Sequence, residues 1–526
     1  MKTENESPFG NPRFLAALAI TFVSLWGWQY YMNQKYPTQK IKAAEVAAGP
    51  DTATSSVNKT TENTTTTTAS ALSQAAVTTQ KFDYSSEKTE FSVSSNGMGL
   101  RSYTVKEYKD REGQFVKYEP STPMFAVLYK NQPIQFNLTK NSDTEFFGEA
   151  IVEGKKISRT LSFDPMTTAI TSEINFESGL DALQIKIEQK KIVPTSSNFL
   201  MPSFDHQDFI YINEGKTHSE AISSVKAGEG ISKSATAVEM AAITTQYFTT
   251  AFVNKSDFLP NINQKVEGLE ATLTAEYDLK NVKATKINQL FYIGAKKTET
   301  MAAIDSRLVE TLNYGIFGFI SKPLLILLKL MHNLLGNWGL AIIGMTIIVR
   351  SILLPFNVIS FKSAQAMQRI KPQMDAVREK YKNDPMRLNK ETMALMKEQK
   401  ANPISGCLPM LIQIPIFFAL WRAISSSVEI YQQPFFGWIT DLSSHDSFFI
   451  LPILMGITMF LQQKLTPSTM DPMQAKILSF MPIIFSLFMI TLPSGLTLYN
   501  FISALFGVLQ QYFLLRQTKT AALSPA

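Results

Sequence analysis

Cysteine and histidine are scarce in this chain. A single cysteine, Cys407, occurs among 526 residues, so no internal disulfide can form, and any domain outside the cytoplasm must be stabilised by its own core. None of the four histidines lies at ligand spacing from Cys, Asp or Glu, so the sequence predicts no metal site. Glycine-rich phosphate loops and the GxSxG elbow are also missing. We therefore expect no catalysis, no cofactor and no small-molecule substrate.

Acidic residues are missing from the long apolar runs, and one of these runs contains a lone arginine. Trp338–Ile359 is 22 residues long, and its only charge, Arg350, lies about halfway along it. A helix of this length just spans a bilayer core. Because an arginine at that depth costs roughly 2.5–3.5 kcal/mol, we expect a wet, protein-lined cavity around Arg350. The alternative is that Arg350 snorkels to the interface.

The mean hydropathy of −0.01 conceals two unlike parts. Residues 34–310 are polar and strand-like, and the length of the chain allows two folded domains. Residues 14–32 form a first apolar run with aromatic residues at its end, which predicts a membrane anchor after a cytoplasmic segment, 1–13. A cleaved signal peptide is the alternative. The Thr- and Ser-rich residues 33–79 are predicted to be a flexible linker.

Short alternating segments and turn dipeptides mark residues 80–305. Asn96-Gly97 and Asp164-Pro165 are turn signals between runs rich in Thr, Val, Ile and aromatic residues. This pattern predicts a β-sandwich. We expect a structural or contact domain, and a concave binding face is the alternative.

Charge distribution predicts the topology of the helical part. Residues 360–403 hold ten Lys/Arg and five Asp/Glu, a net charge of +5, which places this loop in the cytoplasm. The β domain then lies outside only if 312–335, which contains Lys322 and Lys329, is an interfacial amphipathic helix and does not span. The fold class is a polytopic α-helical membrane protein with a β-sandwich domain. The predicted spans are 338–359, 404–424, 448–463, 477–492 and 495–515, followed by a cytoplasmic tail, 516–526.

The basic loop 360–403 is predicted to be a helical hairpin. Methionines recur at helical spacing, and Asn383-Asp384-Pro385 interrupts the pattern. A Met-rich face can adapt to varied partners, and a basic face attracts anionic lipid or RNA. The alternative is a hairpin that packs on itself. The candidate docking residues are Arg369, Lys371, Arg378, Lys380, Lys382, Asp384, Arg387 and Lys390.

Several motifs in the helical part resemble those of a known family. VRSILLPF, NPISGCLPMLIQIPIFFALW and LPSGLTLYNFIS, together with the basic hairpin between the first two, resemble the YidC/Oxa/Alb family of membrane protein insertases. The anchor plus large β domain resembles the Gram-negative form. This resemblance implies an N-terminal anchor, a five-helix insertase core and a periplasmic β-sandwich in the bacterial inner membrane. It also implies insertion and chaperoning of nascent membrane proteins, with or without the Sec translocon.

The resemblance also implies a hydrophilic substrate groove. Arg350 corresponds to the groove arginine of the family, and Thr346 to a polar groove position. Gln413 falls in the LIQIP motif and Tyr499 in the SGLTLY motif, while Asn500 stands where relatives often have an aromatic residue. The hairpin is implied to contact the ribosome or a targeting receptor, and the helices to contact membrane lipids. The rival interpretations are a transporter or channel with a midplane arginine, or a membrane-bound enzyme.

Overall fold

The computed structural model describes residues 80–523 except 111, 194–196, 199–200, 203–205, 223–229, 281, 283–284, 400–407, 467–475 and 477. The predicted cytoplasmic segment 1–13, the anchor 14–32, the linker 33–79 and Cys407 lie outside the described residues. A β domain comes first and is followed by a set of helices.

The β domain is built from antiparallel pairs of strands. In chain order its described strands are β1 (Lys81–Ser85), β2 (Thr89–Ser94), β3 (Leu100–Lys109), β4 (Phe115–Tyr118), β5 (Ala126–Tyr129), β6 (Gln132–Pro133), β7 (Asn137–Lys140), β8 (Glu145–Val152), β9 (Lys155–Phe163), β10 (Ala169–Phe176), β11 (Ala182–Lys190), β12 (Ser197–Asn198), β13 (Met201–Pro202), β14 (Gln207–Asn213), β15 (Lys216–Ala221), β16 (Ile231–Ala235), β17 (Val238–Thr245), β18 (Phe248–Asn254), β19 (Asn261–Glu267), β20 (Glu270–Asp278) and β21 (Lys286–Ala295).

Two large sheets face each other across the main core. Within the described residues, one sheet has nine strands in the order β15-β14-β17-β18-β21-β10-β9-β8-β7, and the other has six in the order β16-β19-β20-β11-β5-β6. Phe252 and Phe291 of the first sheet and Leu273 of the second are buried in one cluster. A smaller sheet, β1-β2-β3-β4, adds Phe91 and Tyr103 to the same cluster. The predicted β-sandwich is confirmed.

The nine-stranded sheet is buried on both faces in its middle. Phe252 of β18 points into the sandwich core, whereas its neighbours Ala251 and Val253 lie in a second cluster together with helical residues such as Leu308 and Leu328. Successive side chains of a strand point to opposite faces, so both faces of β18 are apolar. This second cluster joins the β domain to the helices.

The helices follow the last strand. They are α1 (Thr298–Ile304), α2 (Gly318–Leu335), α3 (Trp338–Lys380), α4 (Pro385–Glu398), α5 (Leu408–Ser426), α6 (Ile450–Leu465), α7 (Met481–Met489) and α8 (Ser494–Leu523). By length and composition, three described helical segments could cross a membrane, namely Gly318–Leu335, Trp338–Lys380 and Ser494–Gln517; Ile450–Leu465 is apolar but shorter. The segment 312–335, predicted from sequence to be interfacial, therefore contains a helix that is long enough to span a membrane.

A tight turn separates α2 from α3. Gly336 adopts φ +69°, a left-handed conformation in which glycine has no steric penalty, and its N–H bonds the carbonyl of His332. The Asn337 side chain then caps α3 by accepting from the N–H groups of Gly339 and Leu340 at 2.9 and 3.1 Å. These two caps place α2 and α3 side by side.

Two helices extend beyond the membrane spans predicted for them. The predicted span 338–359 and the first arm of the predicted hairpin 360–403 lie in one helix, since α3 runs through Lys380. The last span was predicted over 495–515, and α8 continues beyond it to Leu523. In both cases a helix already nucleated in an apolar segment extends at little cost through polar residues with good helix propensity. The predicted interruption at Asn383-Asp384-Pro385 agrees with the start of α4 at Pro385.

The loop after α5 packs against the β domain. Tyr431 donates from its hydroxyl to the carbonyl of Lys109 at 2.8 Å, and its ring lies 4.6 Å from that of Tyr247. Gln246 donates to the carbonyl of Ser425, at the end of α5, at 3.0 Å. The β domain therefore contacts the helical part directly as well as through the chain connection.

Candidate functional site

Arg350 lies on the side of α3 that faces α8. Its Nε donates a 2.6 Å hydrogen bond to Oγ of Ser503, which is buried. Hydroxyl groups satisfy a guanidinium nitrogen but do not neutralise it. The positive charge is therefore held in place by a neutral partner.

A polar pocket extends from Arg350 between α3, α6 and α8. It has about 90 Å³ of space for water, and among the described residues that line it Arg350 carries the only charge. Its polar lining is Asn357, Ser360, Gln462, Thr466, Gln510 and Gln511, and its apolar lining is Phe361, Ala364, Gly507 and Leu514. Amides and hydroxyls both donate and accept hydrogen bonds, so such a surface suits water or a polar chain.

Close helix packing arranges the pocket wall. Gln511 donates from Nε2 to Oγ1 of Thr466 at 3.0 Å, which links α8 to α6. Gly507 allows the Gln462 amide to lie directly on α8, because a Cβ at 507 would overlap that amide. The Gln511 amide is thus held by Thr466, and the Gln462 amide lies against Gly507.

Tyr499 and Gln413 form a second polar contact one helical turn from Ser503. Gln413 on α5 donates from Nε2 to the Tyr499 hydroxyl at 3.0 Å, and Tyr499 is fully buried. Thr346 is also buried and donates to the carbonyl of Ile342 in its own helix at 2.6 Å. The structure therefore brings Arg350, Gln413 and Tyr499 into one region, with Thr346 one turn from Arg350.

Asn500 does not belong to this group. Its amide donates to the carbonyl of Leu496 at 2.9 Å and lies 3.9 Å from Sδ of Met489 on α7. A neighbour of Tyr499 on a helix points about 100° away from it, so Asn500 faces α7 while Tyr499 faces Gln413. Its place in the groove stays a prediction, and in this structure its amide contacts α7 and its own helix.

Sequence reasoning missed most of the pocket lining. A signal was present, because Tyr499, Ser503, Gly507 and Gln510 recur at steps of three and four, as do residues on one face of a helix. Asn357 likewise follows Arg350 by two turns. Each of these residues is small or uncharged within an apolar run, so composition alone does not single it out.

The hairpin residues fall into two groups. Met367 and Ile370 of α3 are buried against Met396 of α4, so part of the Met-rich face packs within the hairpin, as its alternative interpretation proposed. Asp384 caps α4 by accepting from the N–H of Arg387 at 3.0 Å. The basic side chains Arg369, Arg378, Lys380, Lys382, Arg387 and Lys390 are exposed, and Lys371 is partly buried.

Metal-binding groups are not part of this site. In the part of the chain that the structure describes, no three His, Cys, Asp or Glu side chains are grouped so that they could hold a metal ion.

Comparisons with known proteins decide the family. The profile of a 60Kd inner membrane protein family matches residues 330–521, and that of the YidC periplasmic domain matches residues 127–327. A membrane protein insertase YidC from Campylobacter jejuni is 33% identical over 524 residues, which cover 96% of each chain. The chain belongs to the YidC family. A second YidC, from Geotalea daltonii, is 30% identical over 95% of this chain and 98% of its own.

This membership confirms the predicted resemblance and fold class. A YidC-family chain is an inner membrane protein with a periplasmic β domain and a helical membrane part, which agrees with the two matched regions. The chain is also similar to a solved structure described as an active YidC insertase with its first transmembrane domain resolved, at 18% identity and a TM-score of 0.38, over 82% of this chain and 92% of the other. The assignment rests on the sequence matches.

Proposed function

We propose that this chain inserts and folds integral membrane proteins in the bacterial inner membrane, and that the pocket beside Arg350 receives their polar segments. One observation supports the proposal most strongly. Arg350 bonds a neutral partner, Ser503, and lines a pocket of amides and hydroxyls between apolar helices. Each polar group of an incoming chain that enters hydrocarbon without a hydrogen-bond partner costs on the order of several kcal/mol. A polar pocket within the helices shortens that path.

The single positive charge selects what enters. Arg350 raises the local potential and attracts an acidic or polar amino-terminal tail. Apolar segments leave the pocket along the lipid-facing helix surfaces, where partition into lipid supplies the driving force. The chain therefore needs no nucleotide and catalyses no covalent step.

The topology follows from the charge of the hairpin. With 360–403 in the cytoplasm, both chain termini are cytoplasmic and the pocket end of α3 opens toward that side. In a Cys407→Ser background, a cysteine at position 390 is expected to react from the cytoplasm and one at position 151, which is exposed on the β domain, from the periplasm. Labelling of position 390 from the periplasm would invalidate the topology.

The partners are assigned by surface. Nascent membrane proteins occupy the pocket, lipids surround the apolar helices, and the basic hairpin contacts a ribosome or targeting receptor. The Sec translocon is a further proposed partner, and insertion proceeds either with it or by this chain alone.

Reconstitution tests the function. Purified chain in liposomes is expected to insert a single-span protein with an acidic tail, so that the tail becomes protected from added protease without Sec or nucleotide. Liposomes containing the Arg350→Ala variant are the matched control. Equal protection in empty liposomes would contradict the proposal.

A further inference from the structure

Lys329 joins three elements at the periplasmic end of the helices. It lies on α2, and its Nζ is 2.7 Å from Oε1 of Glu299 on α1 and 2.7 Å from Oε1 of Glu429, just after α5. The Lys329 and Glu429 side chains are only 21% and 14% exposed. Glu429 is further oriented by Ser427, whose hydroxyl donates to its Oε2 at 2.6 Å. Partly buried pairs of this kind resist screening better than surface pairs.

The helix that carries Lys329 contacts both α3, which carries Arg350, and α5, which carries Gln413. Ser321 of α2 donates from its hydroxyl to the carbonyl of Ala419 on α5 at 2.8 Å. At the other end of α2, the ring of His332 stacks on Trp338 of α3 at 3.9 Å between centroids. Displacement of α2 therefore changes the spacing of α3 and α5.

That spacing affects two hydrogen bonds at the Arg350 end of the pocket. Arg350 is on α3, whereas Gln413, which bonds Tyr499, is on α5. Since α8 contacts both through Ser503 and Tyr499, a change in the α3–α5 separation alters one hydrogen bond or the other.

We propose that Lys329 is a positioning residue for the Arg350 pocket: its pairs with Glu299 and Glu429 hold α2 at the angle that sets the separation of α3 and α5. The expected effect on insertion rests on the proposed function, whereas the expected change in helix separation does not. Ser321 and the apolar contacts keep α2 in place without Lys329, so losing the pairs shifts the helix and does not release it. Glu299 also connects this position to α1, which packs under the nine-stranded sheet through Met301.

Spin-label distances test the structural part. In a Cys407→Ser background, nitroxides at positions 352 and 414, which are 66% and 42% exposed, report the α3–α5 separation without touching the pocket. Lys329→Met is expected to shift or broaden the distance distribution, and Glu429→Gln, which breaks the same pair from the other side, to shift it in the same direction. Lys329→Arg is expected to leave it unchanged. Lys322→Met is the matched control, because Lys322 is an exposed lysine on the same helix.

Insertion by the same variants tests the functional part. Lys329→Met is expected to lower the initial rate of insertion roughly tenfold, because a partly buried carboxylate loses its counter-charge. Lys329→Arg is expected to stay within about twofold of wild type, since the guanidinium retains the charge and both carboxylate contacts.

Three results would overturn the proposal. They are a wild-type distance distribution in Lys329→Met, a Lys329→Arg variant as impaired as Lys329→Met, or an altered distance with unchanged insertion. The distance comparison requires no substrate. If the wild-type chain inserted nothing, the proposed function would fail while the distances still decided the positioning role of Lys329.

Discussion

At the scale of single residues, the environment of Arg350 decides what it can do. Its described hydrogen-bond partner is a serine hydroxyl, and the pocket lining contains amides and hydroxyls without a carboxylate among the described residues. An arginine held by an acidic partner would have little potential left for a substrate, whereas this one keeps its field. The pocket therefore favours charge attraction over a fixed bidentate contact.

Substitutions at Arg350 separate these two roles. Arg350→Lys is expected to keep most insertion of an acidic-tailed substrate, whereas Arg350→Ala lowers its rate about tenfold, equivalent to ~1.4 kcal/mol of lost attraction. Ser503→Ala is the matched control, because it removes the 2.6 Å contact and keeps the charge. A lysine variant as inactive as the alanine variant, at equal protein level, would show that guanidinium geometry matters more than charge.

Lys296 makes the junction of the β domain sensitive to pH. It is buried and donates from Nζ to the carbonyl of Thr245 at 2.7 Å; burial lowers the pKa of Lys296 to about 7, although nearby Asp208 opposes this. Between pH 7 and the ordinary lysine pKa, the unfolded chain binds more protons than the folded one. The free energy of unfolding is therefore expected to rise with pH in that window, by at most ~1.4 kcal/mol per pH unit.

Thermal unfolding in detergent across pH 7–10 measures this effect. The Lys296→Met variant is the control, because it fills the same space without a titrating group, and it is expected to show a flatter pH dependence. Identical pH profiles for the two proteins would show that Lys296 does not contribute.

Among the helices, α3 carries both the pocket arginine and part of the basic hairpin. It runs from Trp338 to Lys380 with Pro355 and Pro372 inside it, so the pocket residue Arg350 and the first arm of the basic hairpin belong to one helix. A partner that binds the hairpin would therefore contact the same helix that carries Arg350.

Charge reversal tests the hairpin. Lys382, Arg387 and Lys390 are exposed around the tip, and their replacement by Glu is expected to weaken co-sedimentation with ribosomes, most strongly at low salt where such contacts are least screened. Asp384→Ala is the structural control: it removes the α4 cap, which costs ~1 kcal/mol, and leaves the basic residues in place. Co-sedimentation unaffected by the triple reversal at every salt concentration would limit the hairpin to a structural role.

The sequence predicts the individual helices and strands better than it predicts which of them pack together. Arg350 could be predicted because one charge in an apolar run is costly wherever the run packs. Gln413 and Tyr499 were reached only through motif resemblance, and Ser503 and Gln511 not at all, because their roles depend on which helix faces which. The pairing of β10 with β21 is similarly remote in sequence, since many residues separate the two strands.

At the scale of the whole molecule, the β domain and the helices share a core. Strands β14, β17, β18 and β21 bury one face against α1 and α2. The domain is therefore a support for the helical part more than a tethered appendage. Glu299 and Glu429, the partners of Lys329, both lie outside residues 80–290.

Deletion of 80–290 tests that support. Because Lys329 keeps both of its partners, the shortened chain is expected to retain substantial insertion activity. Its yield and melting temperature are expected to fall, since the apolar face that the sheet covers becomes exposed. A further Lys329→Met change in the shortened chain is the comparison, and it should lower insertion more than in the full chain. Complete loss of insertion by a stably expressed deletion would assign the β domain a direct role.

Site-specific photo-crosslinking shows whether an incoming chain lies in the pocket beside Arg350. A crosslinker at position 511, in the pocket lining, is compared with one at position 513, whose side chain is 58% exposed on the same helix. With a stalled ribosome presenting a short acidic-tailed membrane protein, the account predicts a crosslink from 511 and little from 513, and a weaker 511 crosslink in Arg350→Ala. Equal crosslinking from both positions, or from 513 alone, would contradict it.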